Sequence, residues 1–225
     1  MSDACLPLCL MGCGSAFDAI AGAWDVIAPG RSLVRLPLAG TDAIAHGVAE
    51  MLHPLNPRDI RVFVAIDQNA LNFARLDLYC QVRLLGFKGD TLVHPRAVVD
   101  PGVSLGENCW IAAAAVLSGS VRVGNNSFVG AAARLDAQAS IAAHVWVGAG
   151  ASIGQQTSVG SHSVVGADVH VAAHTRIGRY CVIDVPGAYR STCPDGTFIA
   201  PMFPLPVRMY GAPSRRVAAD AGVAL

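Results

Sequence analysis

Lysine is almost missing from this chain. Of 225 residues only Lys88 carries an ammonium, and Arg supplies the rest of the sixteen basic side chains. Sixteen acids balance them, and charged residues are only 14% of the chain. With net charge zero and no basic cluster, the footprint of a nucleic-acid binder is excluded. Long apolar runs are missing too: none approaches the ~18 residues that a membrane-crossing helix needs. The start, MSDACLPLCLMGCG, has an acid where a secretory signal needs positive charge, and reads as a first strand entering a glycine turn. The seven cysteines show no metal or redox spacing and suit a reducing cytoplasm.

What the chain does have is a period of six. Every sixth residue from Val99 to Ile183 is Val, Ile or Leu, fifteen in succession. Fixed-period self-similarity of this length is the mark of a parallel β-helix, and no α-helix shares the period. Two residues before each aliphatic stands a small or β-branched residue, such as Ala115, Ser127, Ala133, Val145 or Cys181. Side chains two apart on a strand face the same way, so both point inward. Gly follows the aliphatic in eight hexads, where a tight turn is expected. Three hexads close one triangular coil, so residues eighteen apart lie one above the other. Fifteen hexads give five coils, a prism of roughly 24 Å at sheet spacing. After Ile183 the repeat is expected to end and a Pro-rich excursion to begin.

Residues 1–90 follow another rhythm. Leu8–Met11 and Arg61–Ile66 read as buried strands, and Ala16–Ala21 as a helix after Gly12-Cys13-Gly14. Residues 69–85 carry Leu71, Leu78, Val82 and Leu85 at helical spacing. Strands alternating with helices predict a small parallel α/β unit over 1–90, with the β-helix and its C-terminal excursion over 91–225.

This order resembles the hexapeptide sugar acyltransferases of the sialic-acid O-acetyltransferase and bacillosamine or perosamine N-acetyltransferase type. Gly12-x-Gly14 follows the first strand, and Ala65-Ile66-Asp67-Gln68-Asn69 is similar to the family's "AIGDN". LVHPRAVV at 92–99 resembles "IHPSAVV", and Asp184-Val185-Pro186 with Tyr210-Gly211-Ala212-Pro213 resembles "DVP … GVPA". The resemblance implies a Rossmann-like domain that binds a nucleotide sugar, followed by a single-stranded left-handed parallel β-helix that takes acetyl-CoA and trimerises. It implies acyl transfer from acyl-CoA to an amino or hydroxyl group of a nucleotide-linked sugar. The sugar nucleotide would meet Gly12, Gly14, Asp67 and Asn69, and the cofactor's phosphates Arg176, Arg179 and Arg215. One departure bears on chemistry. The family's catalytic His falls on Ala137, and a second His on Trp146, so neither can be carried over.

Stacking arithmetic supplies a substitute. Asn126, His144, His162 and Tyr180 share one corner column, with His144 as the leading candidate base and His162 in support, since imidazole titrates near neutrality. His174 shares the hexad position at another corner and is expected to be structural. The outward mid-face residues of one face read Trp110, Phe128, Trp146, Val164, Val182. Such an aromatic ladder is expected to be a subunit contact of a homotrimer, or to be covered by Phe198, Met202 and Phe203 of the excursion. Two rival functions remain: a trimeric scaffold that lost its base, with Ala137 as the argument, and a metal-dependent lyase of the γ-carbonic-anhydrase type. For the latter, His170 and His174 are four apart where that family spaces its pair by five.

Overall fold

The computed structural model describes residues 6–45, 47–68 and 70–209. Four parallel strands open the chain: β1 (Leu8–Cys13), β2 (Leu33–Pro37), β3 (Arg61–Ile66) and β4 (Lys88–Gly89), in the order β2-β1-β3-β4. β1 and β3 lie at the centre and are apolar nearly throughout, as strands buried on both faces must be. Helices α1 (Ser15–Gly22), α2 (Trp24–Ile27), α3 (Val48–Leu52) and α4 (Phe73–Leu84) connect them. α4 starts after a 3-10 turn over Ala70–Asn72, in which Leu71 and Asn72 take left-handed φ of 59° and 62°. That turn shortens the helix expected from residue 69. β2 and α3 carried too weak a pattern to be predicted.

The remainder is a three-faced solenoid of two-residue strands. On the first face Leu92–Val93, Trp110–Ile111, Phe128–Val129, Trp146–Val147, Val164–Val165 and Val182–Ile183 stack in parallel. The second face runs from Val98–Val99 through Arg134–Leu135 to Val169–Val171, and the third from Ser104–Leu105 through Ser140–Ile141 to Arg176–Ile177. The second member of each rung points inward. From Ile111 to Ile183 these aliphatics are at most 3% exposed and form one continuous core with Cys109, Ala115, Ala133 and Cys181.

Three expectations change. The solenoid has six turns rather than five, because the stretch after Ile183 folds as another coil. Gly187–Tyr189 joins the second face opposite Val169–Val171, Cys193 bridges to Ile177 on the third, and Thr197–Ile199 extends the first, with Ile199 opposite Ile183. From Ile183 to Ile199 is sixteen residues, two short of a full coil, and the inward positions are Tyr189 and Cys193. Both facts hide this coil from a search for aliphatics at period six. Phe198, Met202 and Phe203 therefore belong to this end of the solenoid and do not cover the aromatic ladder. The second change concerns the turns. Every sixth residue from Gly102 to Tyr180 has positive φ, and all but two are not Gly, including Asn126 (55°), His144 (61°) and His162 (60°). The glycines that follow the aliphatics serve close approach instead: a Cβ on Gly148 would stand 2.5 Å from the backbone N of Ala167 in the next coil.

The third correction concerns the aromatic face. It meets this chain's own α/β unit. Leu8, Leu10, Phe17, Ile20, Trp24 and Phe63 form one buried cluster with Leu92, Trp110 and Phe128, and Trp146 packs at its edge. Trp110 is 7% exposed and Phe128 6%, with the Phe128 and Trp146 rings stacked at 4.4 Å. A face already filled from within cannot be the contact between copies.

Candidate active site

The predicted column exists and is longer than expected. Arithmetic in eighteens extends it down to Asn108, so that Asn108, Asn126, His144, His162 and Tyr180 rise along the corner between the third and first faces. The His144 and His162 rings stack at 4.7 Å, and His162 and Tyr180 at 5.1 Å. Phe73, the first residue of α4, lies parallel to His162 at 5.2 Å. Asn72 Nδ2 donates to the His144 carbonyl at 3.0 Å, and the Tyr79 ring meets His144 edge-on. The α/β unit thus grips this corner through the 3-10 turn and α4.

The seam contains a residue the sequence reading passed over. Arg75 is 1% exposed. Its Nη2 donates to the carbonyls of Asn126 (2.9 Å) and Val145 (3.4 Å), and its guanidinium stands 5.3 and 5.4 Å from the Phe128 and Trp146 ring centres. Burial lowers its pKa to about 10, so it remains a cation at neutrality. The signal was present: Arg75 lies in the apolar stripe of Leu71, Leu78, Val82 and Leu85, where a charge needs a reason.

Burial first, then the neighbouring His162 and Arg75, lowers the pKa of His144 to about 4. Burial lowers His162 as well, opposed by a hydrogen bond to the Leu71 backbone. A histidine depressed in the folded state costs stability where only the unfolded chain is protonated. The stabilisation is therefore complete above the ordinary value of 6.5 and is lost progressively as pH falls toward 4. Thermal melts at pH 7.5 and pH 5 should show a lower midpoint at pH 5, with a smaller drop in His144→Gln. Equal drops in both proteins would mean that His144 is not held neutral.

At the glycine turn the chain packs closely on itself. A Cβ on Gly12 would fall 1.7 Å from the Ala65 carbonyl oxygen on the neighbouring strand, so no other residue fits there. Asp67 caps α1 from 52 residues away: its carboxylate accepts from Ser15 N (2.8 Å), Ala16 N (2.7 Å) and the Ser15 hydroxyl. Gly14 makes room, since its Cβ would stand 2.4 Å from Asp67 Oδ2. The backbone donors of Ser15 and Ala16 at the start of this helix are thereby occupied by the chain's own anion. Asn69 lies outside the described residues.

The corner between the second and third faces borders an open groove of about 480 Å³. Ser120, Gln138 and Gln156 line its edge, and Arg122, Ser140 and Ser158 its floor. Gln156 Nε2 donates to Gln138 Oε1 at 2.6 Å. Ala137 precedes Gln138 on this corner, and His174 continues the column one coil above Gln156. Arg176 continues the floor column Arg122-Ser140-Ser158. Arg179 is held elsewhere, with Nε and Nη2 both 3.0 Å from Asp195 Oδ2. Arg215 lies outside the described residues. The groove and the histidine column therefore occupy opposite edges of the third face and do not converge.

Among the described residues no helix is long and apolar enough to cross a membrane, and six cysteines are free thiols. Residues 87–188 match the family described as the GMPPB C-terminal domain. No curated protein matches the chain in sequence. In structure it is similar to a mutant of perosamine N-acetyltransferase from Caulobacter crescentus, solved with CoA and GDP-perosamine. The TM-score is 0.72 at 22% identity, covering 91% of this chain and 97% of that one. It is similar to the acetyltransferase domain of PglB from Neisseria gonorrhoeae, solved with acetyl coenzyme A, at TM-score 0.59 and 21% identity over 90% and 98%. WeeI from Acinetobacter baumannii superposes at TM-score 0.57 and 13% identity over 88% and 97%. The order of α/β unit and solenoid is common to all, and the chain shares the fold of the hexapeptide-repeat sugar acetyltransferases.

Proposed function

We propose that this chain transfers an acetyl or other short acyl group from acyl-CoA to an amino or hydroxyl group of a nucleotide-linked sugar. The observation that carries the reading is the match over 91% of the chain to an enzyme solved with both CoA and a nucleotide sugar. In this reading residues 1–90 serve the nucleotide sugar and 91–225 the acyl donor. The groove beside Ala137 takes the acyl-CoA arm, with Arg122 and Arg176 as the cations nearest its phosphates. Gly12 and Gly14 let the turn pack closely on Ala65 and Asp67, and this fixed turn is the one that meets the nucleotide. The acceptor nitrogen or oxygen bonds to the acyl carbon, the thioester C–S bond breaks, and the acceptor's proton ends on the CoA thiol. Alignment of acceptor and thioester supplies most of the acceleration, since Ala137 offers no base. The protein works as a homotrimer in a reducing cytoplasm. Its copies meet on the second face, where Val98 and Arg134 are exposed and Val116 partly so.

The test is thiol release from acetyl-CoA in the presence of a panel of nucleotide amino-sugars, with mass spectrometry of the product. Thiol released in step with an acetylated sugar is the expected result. A protein that binds a nucleotide sugar yet never releases thiol is the scaffold instead.

A further inference from the structure

The asparagines under His144 fix more than its position. Asn108 lies against the Val64 peptide of β3: Val64 N donates to Asn108 Oδ1 at 2.8 Å, and Asn108 Nδ2 donates to the Val64 carbonyl at 3.2 Å. A peptide has one donor and one acceptor, so this pairing permits a single orientation of the side-chain amide. Asn108 Nδ2 also donates to Asn126 Oδ1 at 2.8 Å. Asn126 must then present Nδ2 upward, where it meets His144 Nδ1 at 3.1 Å. A donor there requires His144 Nδ1 to be the bare acceptor nitrogen, which leaves the proton on Nε2. Among the described residues no hydrogen-bond partner stands at His144 Nε2, and that nitrogen is not one of the buried polar atoms left unsatisfied.

We infer that Asn108 and Asn126 are positioning residues that hold His144 as a neutral donor, with its Nε2–H presented to an acceptor oxygen of the nucleotide-linked sugar. The ligand half rests on the function proposed above. The corner supports it, because His144 stands under the turn over Ala70–Asn72, which continues from the Asp67 loop of the α/β unit, and away from the groove. A base needs a free lone pair, and the one on this ring is taken by Asn126. The depressed pKa agrees, since an imidazolium would have to donate from Nδ1 into an amide N–H. The role differs from the general base expected of His144 from sequence.

Two measurements test this. Long-range ¹⁵N–¹H NMR of the imidazoles in the wild-type protein at pH 7 should show His144 protonated at Nε2 and bare at Nδ1. Asn126→Asp should reverse it, because a carboxylate accepts from Nδ1–H. The second measurement compares His144→Ala with His144→Gln, whose amide can place a donor near the Nε2 position. His144→Ala should raise KM for the nucleotide sugar about tenfold, as for one lost hydrogen bond, with kcat little changed. His144→Gln should restore most of it. A wild-type His144 protonated at Nδ1, or a kcat collapse in both variants with unchanged KM, overturns the inference. A protein that neither binds nor acylates any nucleotide sugar overturns the functional reading and the ligand half here, while the NMR still decides the relay.

Discussion

Ile153→Asp is expected to abolish folding of the solenoid. Ile153 is wholly buried on the second face, paired below with Leu135 and above with Val171. A carboxylate there would lie among Val, Ile, Leu and Ala side chains, with no cation in the core cluster to pair with it. An unpaired buried charge costs several kcal/mol or more, comparable to the ~5–15 kcal/mol that holds a typical domain together. Each coil also buries its neighbours, so a broken middle coil uncouples the two ends. Ile153→Ala, which leaves a cavity but no charge, should cost about 2–5 kcal/mol and still fold. Circular dichroism and urea melts of the two variants decide the point. Equal stability would mean that the inward register is wrong.

Arg75→Ala is expected to separate the two parts of the chain without unfolding the solenoid. The substitution removes hydrogen bonds to Asn126 and Val145 and the cation over Phe128 and Trp146. Hydrogen bonds from a charged donor contribute about 1.5–3 kcal/mol, and the lost cation–π contact adds to that. The loss falls on the seam, since the solenoid ladder uses none of these bonds. Hydrogen exchange should quicken in α1, α4 and the Asp67 loop, while the rungs from Phe128 to Ile183 stay protected. Trp146→Lys should act on the same seam by setting a second cation beside Arg75. If exchange rises uniformly along the chain, the two parts unfold as one unit and the seam is not a separable contact.

The sequence was legible where structure is periodic. Within the regular coils the rungs stack residues eighteen apart, so the inward aliphatics, the small residues at the bends and the column of His144, His162 and Tyr180 followed from counting. The sequence by itself determined the solenoid, its three faces and which side chains stack. It failed in the last coil, where Tyr189 takes an aliphatic's place and the count slips before Cys193, four residues on. It also failed across the seam, because a period within one part carries no information about the other. Only the tertiary structure decided that the Trp110–Phe128–Trp146 ladder is filled by Phe17, Trp24 and Arg75 of the same chain, and that Asp67 caps α1. Only the fold decided, too, which nitrogen of His144 bears the proton. A sequence can place an imidazole on a corner, but its protonation depends on a hydrogen-bonded chain that starts at the Val64 peptide, 80 residues away.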